Sequence, residues 1–389
     1  MKQIYLKRGK EESLQRFHPW IFSGAIHHAD KDIADGETVR VVSANGEFMA
    51  VGHYQMGSIA VRVLTFSDVQ IDDAFWHSRL TSALEARKVM KLANAPQNDT
   101  YRLVHGEGDH LPGLIIDIYG RTAVMQAHSV GMHLARKAIA KQLISVMQGM
   151  VDNVYYKSET TLPFMEPENG FIIGNTDDCT AQENGLKFRV DWLRGQKTGF
   201  FVDQRENRSL LEHYAQGRNV LNMFCYTGGF SVYAMRGGAK MVHSVDSSAK
   251  AIELTRANME MNFPGDARHD AFCEDAFKYL EQAGDNYDLI ILDPPAFAKH
   301  RGALHNALKG YTRLNLKAFE KIQKGGLLFT FSCSQVVTKD HFRNAVFTAA
   351  ALAHRKVRIL HQLHQPADHP INIYHPEGEY LKGLVLYVE

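Results

Sequence analysis

In the second half of the chain, a series of apolar runs rich in β-forming residues each ends at a glycine turn or an acid. Asn219-Val-Leu-Asn-Met-Phe-Cys-Tyr-Thr-Gly-Gly-Phe230 leads the series, and Met241-Val-His-Ser-Val-Asp246, Phe272-Cys-Glu-Asp-Ala-Phe277 and Leu289-Ile-Ile-Leu-Asp-Pro-Pro295 follow. Stretches long enough for a helix separate them. Alternation of this kind implies a mostly parallel, doubly wound sheet. In such sheets ligands bind beyond the carboxyl ends of the strands, where these acids fall. A further run, Thr330-Phe-Ser-Cys-Ser334, brings a thiol to a similar strand end.

The leading run is a strand, a glycine turn and a helix start, so backbone N–H groups face whatever binds at the turn. Asp246, ending the next strand, has the usual position of a carboxylate that takes ribose hydroxyls. Asp275 is placed to accept from an adenine amine. No G-x-G-x-x-G and no G-x-x-x-x-G-K-[ST] occurs, so a pyrophosphate cradle is not indicated. S-adenosylmethionine carries no phosphate, and a Tyr226-Thr227-Gly228-Gly229 turn is sufficient for it. The expected cofactor residues are Asn222, Phe224, Tyr226, Thr227, Gly228, Gly229, Asp246, Asp275, Asp293 and Pro294. Each alone has a plainer reading, a helix cap or a turn acid; the ordered series is what carries the argument.

The rest of the chain bounds the answer. Its 389 residues suffice for two or three domains. The first residues are charged, and no window approaches the roughly 18–20 apolar residues of a spanning helix, which makes a cytoplasmic enzyme the expectation. The four cysteines, Cys179, Cys225, Cys273 and Cys333, form no C-x-x-C pair, and His300, His305, His364 and His369 lack metal-ligand spacing. No metal site is expected. A net charge of +1 argues against binding nucleic acid through bulk electrostatics, so any basic surface must be local.

Three segments are expected. Residues 1–70 read as a small β-barrel, with Asn45-Gly46 as a hairpin signal. Residues 72–178 read as a β-rich α+β unit: a helix at about 72–98, strands near 101–105, 113–118 and 122–128, a helix at about 130–148 and a strand near 153–157. Residues 179–389 then form the α/β segment, entered through a hairpin in 181–192.

Several stretches together resemble the S-adenosylmethionine-dependent RNA cytosine-C5 methyltransferases of the large-subunit ribosomal RNA type. They are Phe17-His-Pro-Trp-Ile-Phe-Ser-Gly24, Gly108-Asp-His-Leu-Pro-Gly-Leu-Ile-Ile-Asp117, Lys197-Thr-Gly-Phe-Phe-Val-Asp-Gln-Arg205, Tyr226-Thr-Gly-Gly-Phe230, Asp293-Pro-Pro295, Phe331-Ser-Cys-Ser334, Ala367-Asp-His-Pro370 and Glu377-Gly-Glu-Tyr-Leu-Lys-Gly383. The resemblance spans the chain. It implies a multidomain α/β protein: an N-terminal PUA-like RNA-binding domain, a central α+β domain and a C-terminal Rossmann-like class I methyltransferase domain. It further implies that Phe201 and Gln204 help hold the methyl donor, that the partner is large-subunit rRNA, protein-free or partly assembled, and that a homodimer is the family expectation.

Carbon-5 of cytosine is a poor nucleophile. An enzyme adds a thiolate at carbon-6, transfers the methyl to carbon-5 and then removes the carbon-5 proton to expel itself. Cys333 is the expected nucleophile, and Asp293 the group that bonds the pyrimidine edge at N3 or N4. Cys225 is an alternative thiol that would face the donor; Cys179 and Cys273 read as structural. Asp368, His369, Glu377, Glu379 and water are candidate bases, and Lys382 falls where related uracil enzymes place a glutamate. Phe297 and Tyr311 are aromatic candidates for base stacking. Two rivals remain: a guanine methyltransferase on the same scaffold, which needs no cysteine, and a non-catalytic ribosome-assembly factor, which would bind RNA without the donor.

Overall fold

The computed structural model describes residues 1–389, the side chain of Pro163 excepted. The chain forms two compact units. One comprises Met1–Gly185, Val190–Val202 and Ala367–Gly378; the other comprises Leu186–Arg189, Asp203–Pro366 and Glu379–Glu389.

The first unit holds two sheets. A six-stranded sheet runs in the order Trp20–Phe22, Ile59–Thr65, Phe48–Tyr54, Thr38–Val42, Lys2–Leu6, Ile26–Ala29. It encloses Ile4, Leu6, Val39, Val41, Ala50, Val61 and Val63. The expected Asn45-Gly46 turn joins two of its antiparallel strands, with Gly46 at φ +84°. A five-stranded sheet, ordered Gly170–Ile173, Asn153–Tyr156, Thr122–Ala127, Leu114–Tyr119, Thr100–His105, packs with helices Asp73–Val89 and Val130–Met147. Asp72 and Ser129 cap those helices by accepting from the N–H groups of Phe75 and Met132. The first helix stops at Val89, short of the expected 98, because Lys91 and Asn94 adopt left-handed φ of +58°.

Beyond the expected domain boundary at 178/179, residues 179–185 still belong to the first unit, and later sequence returns to it twice. Val190–Val202 and Ala367–Gly378 fold with the first unit because buried polar groups there need them. Thr198 Oγ1 donates to Asp117 Oδ2 at 2.6 Å, and Asp117 is held by the Arg102 guanidinium at 2.8 and 2.9 Å. Arg87, fully buried, grips Asp109 and donates to the carbonyl of Asp368 at 2.8 Å. A third convergence involves His18, His375 and Glu377, whose potential ligand atoms lie within 4.8 Å of one another. Spacing in the sequence did not flag it. Its tightest contact is a 3.0 Å pair between His375 Nδ1 and Glu377.

The second unit is a seven-stranded sheet built from β1 (Asn219–Met223), β2 (Met241–Asp246), β3 (His269–Cys273), β4 (Leu289–Leu292), β5 (Gly326–Ser332), β6 (Val357–His364) and β7 (Lys382–Val388). Their order is β3-β2-β1-β4-β5-β7-β6. The first five are parallel, and β7 runs antiparallel between β5 and β6. Helices α1 (Arg205–Tyr214), α2 (Gly229–Arg236), α3 (Ala249–Asn262), α4 (Ala276–Gln282), α5 (Leu304–Lys321) and α6 (Lys339–Leu352) complete it. Strands β1, β4 and β5 are almost entirely buried, as expected where helices cover both faces of a parallel sheet. The strand order reverses at β1, whose neighbours are β2 and β4, which puts the carboxyl ends of β1, β2 and β4 beside a topological switch point.

Candidate active site

Beyond β1 the backbone enters the left-handed region at every second residue: Phe224 at φ +59°, Tyr226 at +47° and Gly228 at +77°. Such a path turns successive N–H groups inward and makes a concavity suited to negative charge. Two non-glycine residues in that region cost conformational energy, so the surroundings must impose it. Asp246 does so from the end of β2, accepting from the Tyr226 N–H at 3.0 Å and the Ser248 N–H at 2.9 Å. From α3, Thr255 Oγ1 donates to the Tyr226 carbonyl at 2.9 Å and Asn258 Nδ2 to the Thr227 carbonyl at 2.8 Å. A Cβ on Gly228 would lie 2.7 Å from Thr255 Cγ2, so both space and φ demand glycine there. Thr255 and Asn258 lie a helix away in sequence and carried no signal of this role.

Asp275 caps α4 through Oδ1, which accepts from the N–H groups of Phe277 and Lys278 at 3.0 and 3.1 Å. Its side chain is exposed, so Oδ2 remains for a donor from outside. Asn222, at the fourth position of β1, is buried; its Nδ2 donates to Ser231 Oγ at 2.9 Å, and its Oδ1 has no hydrogen-bond partner among the described residues. Gln204 is buried at the start of α1 and accepts from Asn207 at 2.7 Å, whereas Phe201 belongs to the first unit and lies under the Lys197 ammonium, 5.0 Å from its ring centre.

The thiol and the carboxylate emerge side by side. Leu292 of β4 is the register partner of Thr330 of β5, so Asp293 and Cys333 leave neighbouring strand ends. Cys333 Sγ is 4.0 Å from the carbonyl oxygen of Pro294, and both Cys333 and Asp293 are half-buried. The two loops are tied together: the Ala298 N–H donates to Ser334 Oγ at 3.3 Å. Below them Tyr311 of α5 takes a hydrogen bond from Ser332 Oγ at 2.9 Å and meets Ser334 Oγ at 3.2 Å. Tyr311 is wholly buried and cannot stack on a base; it braces the thiol loop, while Phe297 packs over it at 4.6 Å between ring centres. From the start of β7, Lys382 Nζ donates to the carbonyls of Ser334 and Val337, both at 2.6 Å.

The other cysteines differ in setting. Cys225 is buried against Ile252 and Ala271, and burial together with the Asp246 charge pushes its thiol far up, which removes it as a nucleophile. Cys273 is exposed rather than packed in the core, and Cys179 is half-buried. The candidate bases scatter. Asp368 and His369 are buried in the first unit, with Asp368 accepting from the Arg102 N–H at 2.9 Å. Glu377 also folds there, and Glu379 pairs with Lys339 in the second unit.

Residues 168–373 match the S-adenosylmethionine-dependent methyltransferase family, and residues 4–66 match a PUA-like domain. The fold class is thus the expected multidomain α/β one, and the methyl donor is S-adenosylmethionine. Ribosomal RNA large subunit methyltransferase I of Tolumonas auensis is 41% identical, with 98% of each chain covered. Its namesake in Escherichia coli O139:H28 is 38% identical over 99% of each. A protein of Streptococcus mutans has the same fold at TM-score 0.84 and 24% identity over the full length of both chains. So does SMU.776, solved in complex with SAH, at TM-score 0.85 and 24% identity, again over both chains in full. Sequence and fold together make the chain a SAM-dependent methyltransferase, and it belongs to the family of the ribosomal RNA large subunit methyltransferases I.

Proposed function

We propose that the protein transfers a methyl group to carbon-5 of a cytosine in large-subunit ribosomal RNA through a covalent adduct between Cys333 and carbon-6. The observation that carries this reading is the approach of Cys333 Sγ to 4.0 Å from the Pro294 carbonyl, which sets the thiol beside Asp293 at the sheet's carboxyl edge. An exocyclic-amine methyltransferase needs the Asp-Pro-Pro loop but has no use for that thiol. The names of the relatives supply the RNA class.

Addition of the thiolate to carbon-6, with a proton at N3 supplied or held by Asp293, makes carbon-5 an enamine carbon. S-adenosylmethionine supplies an electrophilic methyl, which carbon-5 takes. Loss of the carbon-5 proton then restores the 5,6 double bond and returns the thiolate. Tyr226, Thr227, Gly228 and Gly229 would hold the methionine end of the donor, Asp246 its ribose and Asp275 its adenine amine. Asn222, Phe224 and Pro294 would border it, with Phe201 and Gln204 as further contacts. The PUA-like residues 4–66 would contact structured RNA, from which the target base must be extruded to reach the thiol. Action on such a substrate would put the enzyme in the cytoplasm.

The test uses large-subunit rRNA transcribed with 5-fluorocytidine. Fluorine at carbon-5 leaves no proton to remove after methyl transfer, so the adduct cannot resolve. A donor-dependent, denaturant-stable protein–RNA complex that is lost in Cys333→Ala is expected. Turnover of unsubstituted RNA with no trapped complex would overturn the covalent mechanism.

A further inference from the structure

We propose that Lys382 is a positioning residue for the Cys333 thiolate: its buried ammonium fixes the loop that carries the sulfur and supplies the positive charge that favours the ionised thiol. The catalytic value of this device rests on Cys333 being the nucleophile, whereas its effect on the sulfur is measurable without that reading.

Lys382 is buried, 6% exposed, and enters from the first position of β7, opposite Ser332 of β5. Placing an ammonium there costs several kcal/mol unless it is bonded or paired. An apolar residue would fill the space without that cost. What the ammonium does instead is bridge the two ends of the loop after β5, through the carbonyls of Ser334 and Val337, each at 2.6 Å. The first of these belongs to the residue that follows Cys333.

The charged and titratable groups around the pair come from four elements. Lys382 feels the Cys333 sulfur, Glu379 and the cation of Lys339. Tyr311 of α5 also senses Cys333, and Asp293 leaves the neighbouring strand end. Burial lowers Lys382 to about 8, and the sulfur works against that shift by favouring the charged ammonium. Interaction between two ionisable groups is mutual, so the ammonium favours the thiolate equally.

The test measures the pH dependence of Cys333 alkylation by iodoacetamide, read peptide by peptide by mass spectrometry, in the full-length protein without donor or RNA. In Lys382→Gln, which retains a donor for the carbonyls but no charge, the midpoint is expected to rise by about one pH unit or more relative to wild type. Lys382→Arg should restore most of the shift. In turnover at neutral pH, Lys382→Gln should lower kcat and leave KM for S-adenosylmethionine unchanged. An unchanged alkylation midpoint in folded Lys382→Gln overturns the proposal. If that variant does not fold, a wild-type midpoint no lower than the ~8.5 of a free thiol does the same. Full methylation by Cys333→Ala would instead remove the nucleophile reading while leaving the alkylation result to stand.

Discussion

The carboxylate of Asp368 accepts a hydrogen bond from the backbone N–H of Arg102 at 2.9 Å, joining residues 266 positions apart. Its own carbonyl takes a second bond from buried Arg87, at 2.8 Å. Asp368 therefore completes a buried ionic network in the N-terminal unit. Asp368→Ala is expected to destabilise the protein by about 2–4 kcal/mol in urea unfolding, because it strands buried donors. Asp368→Asn, which keeps an acceptor, should cost less and retain methylation. A folded, equally stable Asp368→Asn without activity would restore this residue as a candidate base.

Gly228 tests whether the turn after β1 has any slack. Alanine there meets both an unfavourable φ of +77° and Thr255 Cγ2 at 2.7 Å. Gly228→Ala should weaken binding of S-adenosylhomocysteine by roughly 10-fold or more by calorimetry, corresponding to about 1–3 kcal/mol of strain. Trimming the neighbour in Gly228→Ala/Thr255→Ser should recover only part of it, because the φ penalty stays. Full recovery would assign the effect to crowding alone.

Asp246 holds the same turn from the opposite side through the Tyr226 N–H. Removing the carboxylate in Asp246→Ala frees that N–H and deletes the acceptor proposed for the ribose, so affinity for the donor should fall at least 10-fold, on the order of 1–3 kcal/mol. Global unfolding should change far less than for Asp368→Ala. Unaltered affinity would mean that the ribose is held elsewhere.

His53, 5% exposed in the N-terminal unit, is depressed to about 4 by burial and by the Arg62 charge. Its ordinary value is near 6.5, so between those two pH values the unfolded chain binds the proton and the folded chain does not. Stability is thus fully present above about 6.5 and is lost as pH falls toward 4, by roughly 1–3 kcal/mol. His53→Gln should flatten that limb in urea titrations at pH 4.5 and 7. An acid limb of the same slope in the variant would place the titration elsewhere.

Most of what could be read in advance was local. Strand ends at Asp246, Asp275 and Asp293, the glycine turn and the two β-rich N-terminal segments all follow from apolar runs punctuated by turn residues, and β-propensity in a parallel sheet is strong because both faces are buried. What escaped depends on side chains meeting across long separations. Asp368 and His369 looked like tail residues near a pocket, yet buried arginines far upstream draw them into the other unit. Tyr311 looked like a stacking platform because helical spacing does not say which face is covered; it is fully buried and bonded to Ser332. Lys382 had only the form of a departure from a related pattern, and its two carbonyl bonds required the antiparallel strand to be in place.

The most direct test of the central claim is incorporation of tritium from S-adenosylmethionine into protein-free large-subunit rRNA from a strain lacking this gene, comparing wild type with Cys333→Ala. Nucleoside mass spectrometry then identifies the product. The account predicts label in 5-methylcytidine with wild type and none with the variant. Label in methylated guanosine, or undiminished methylation by Cys333→Ala, would contradict it.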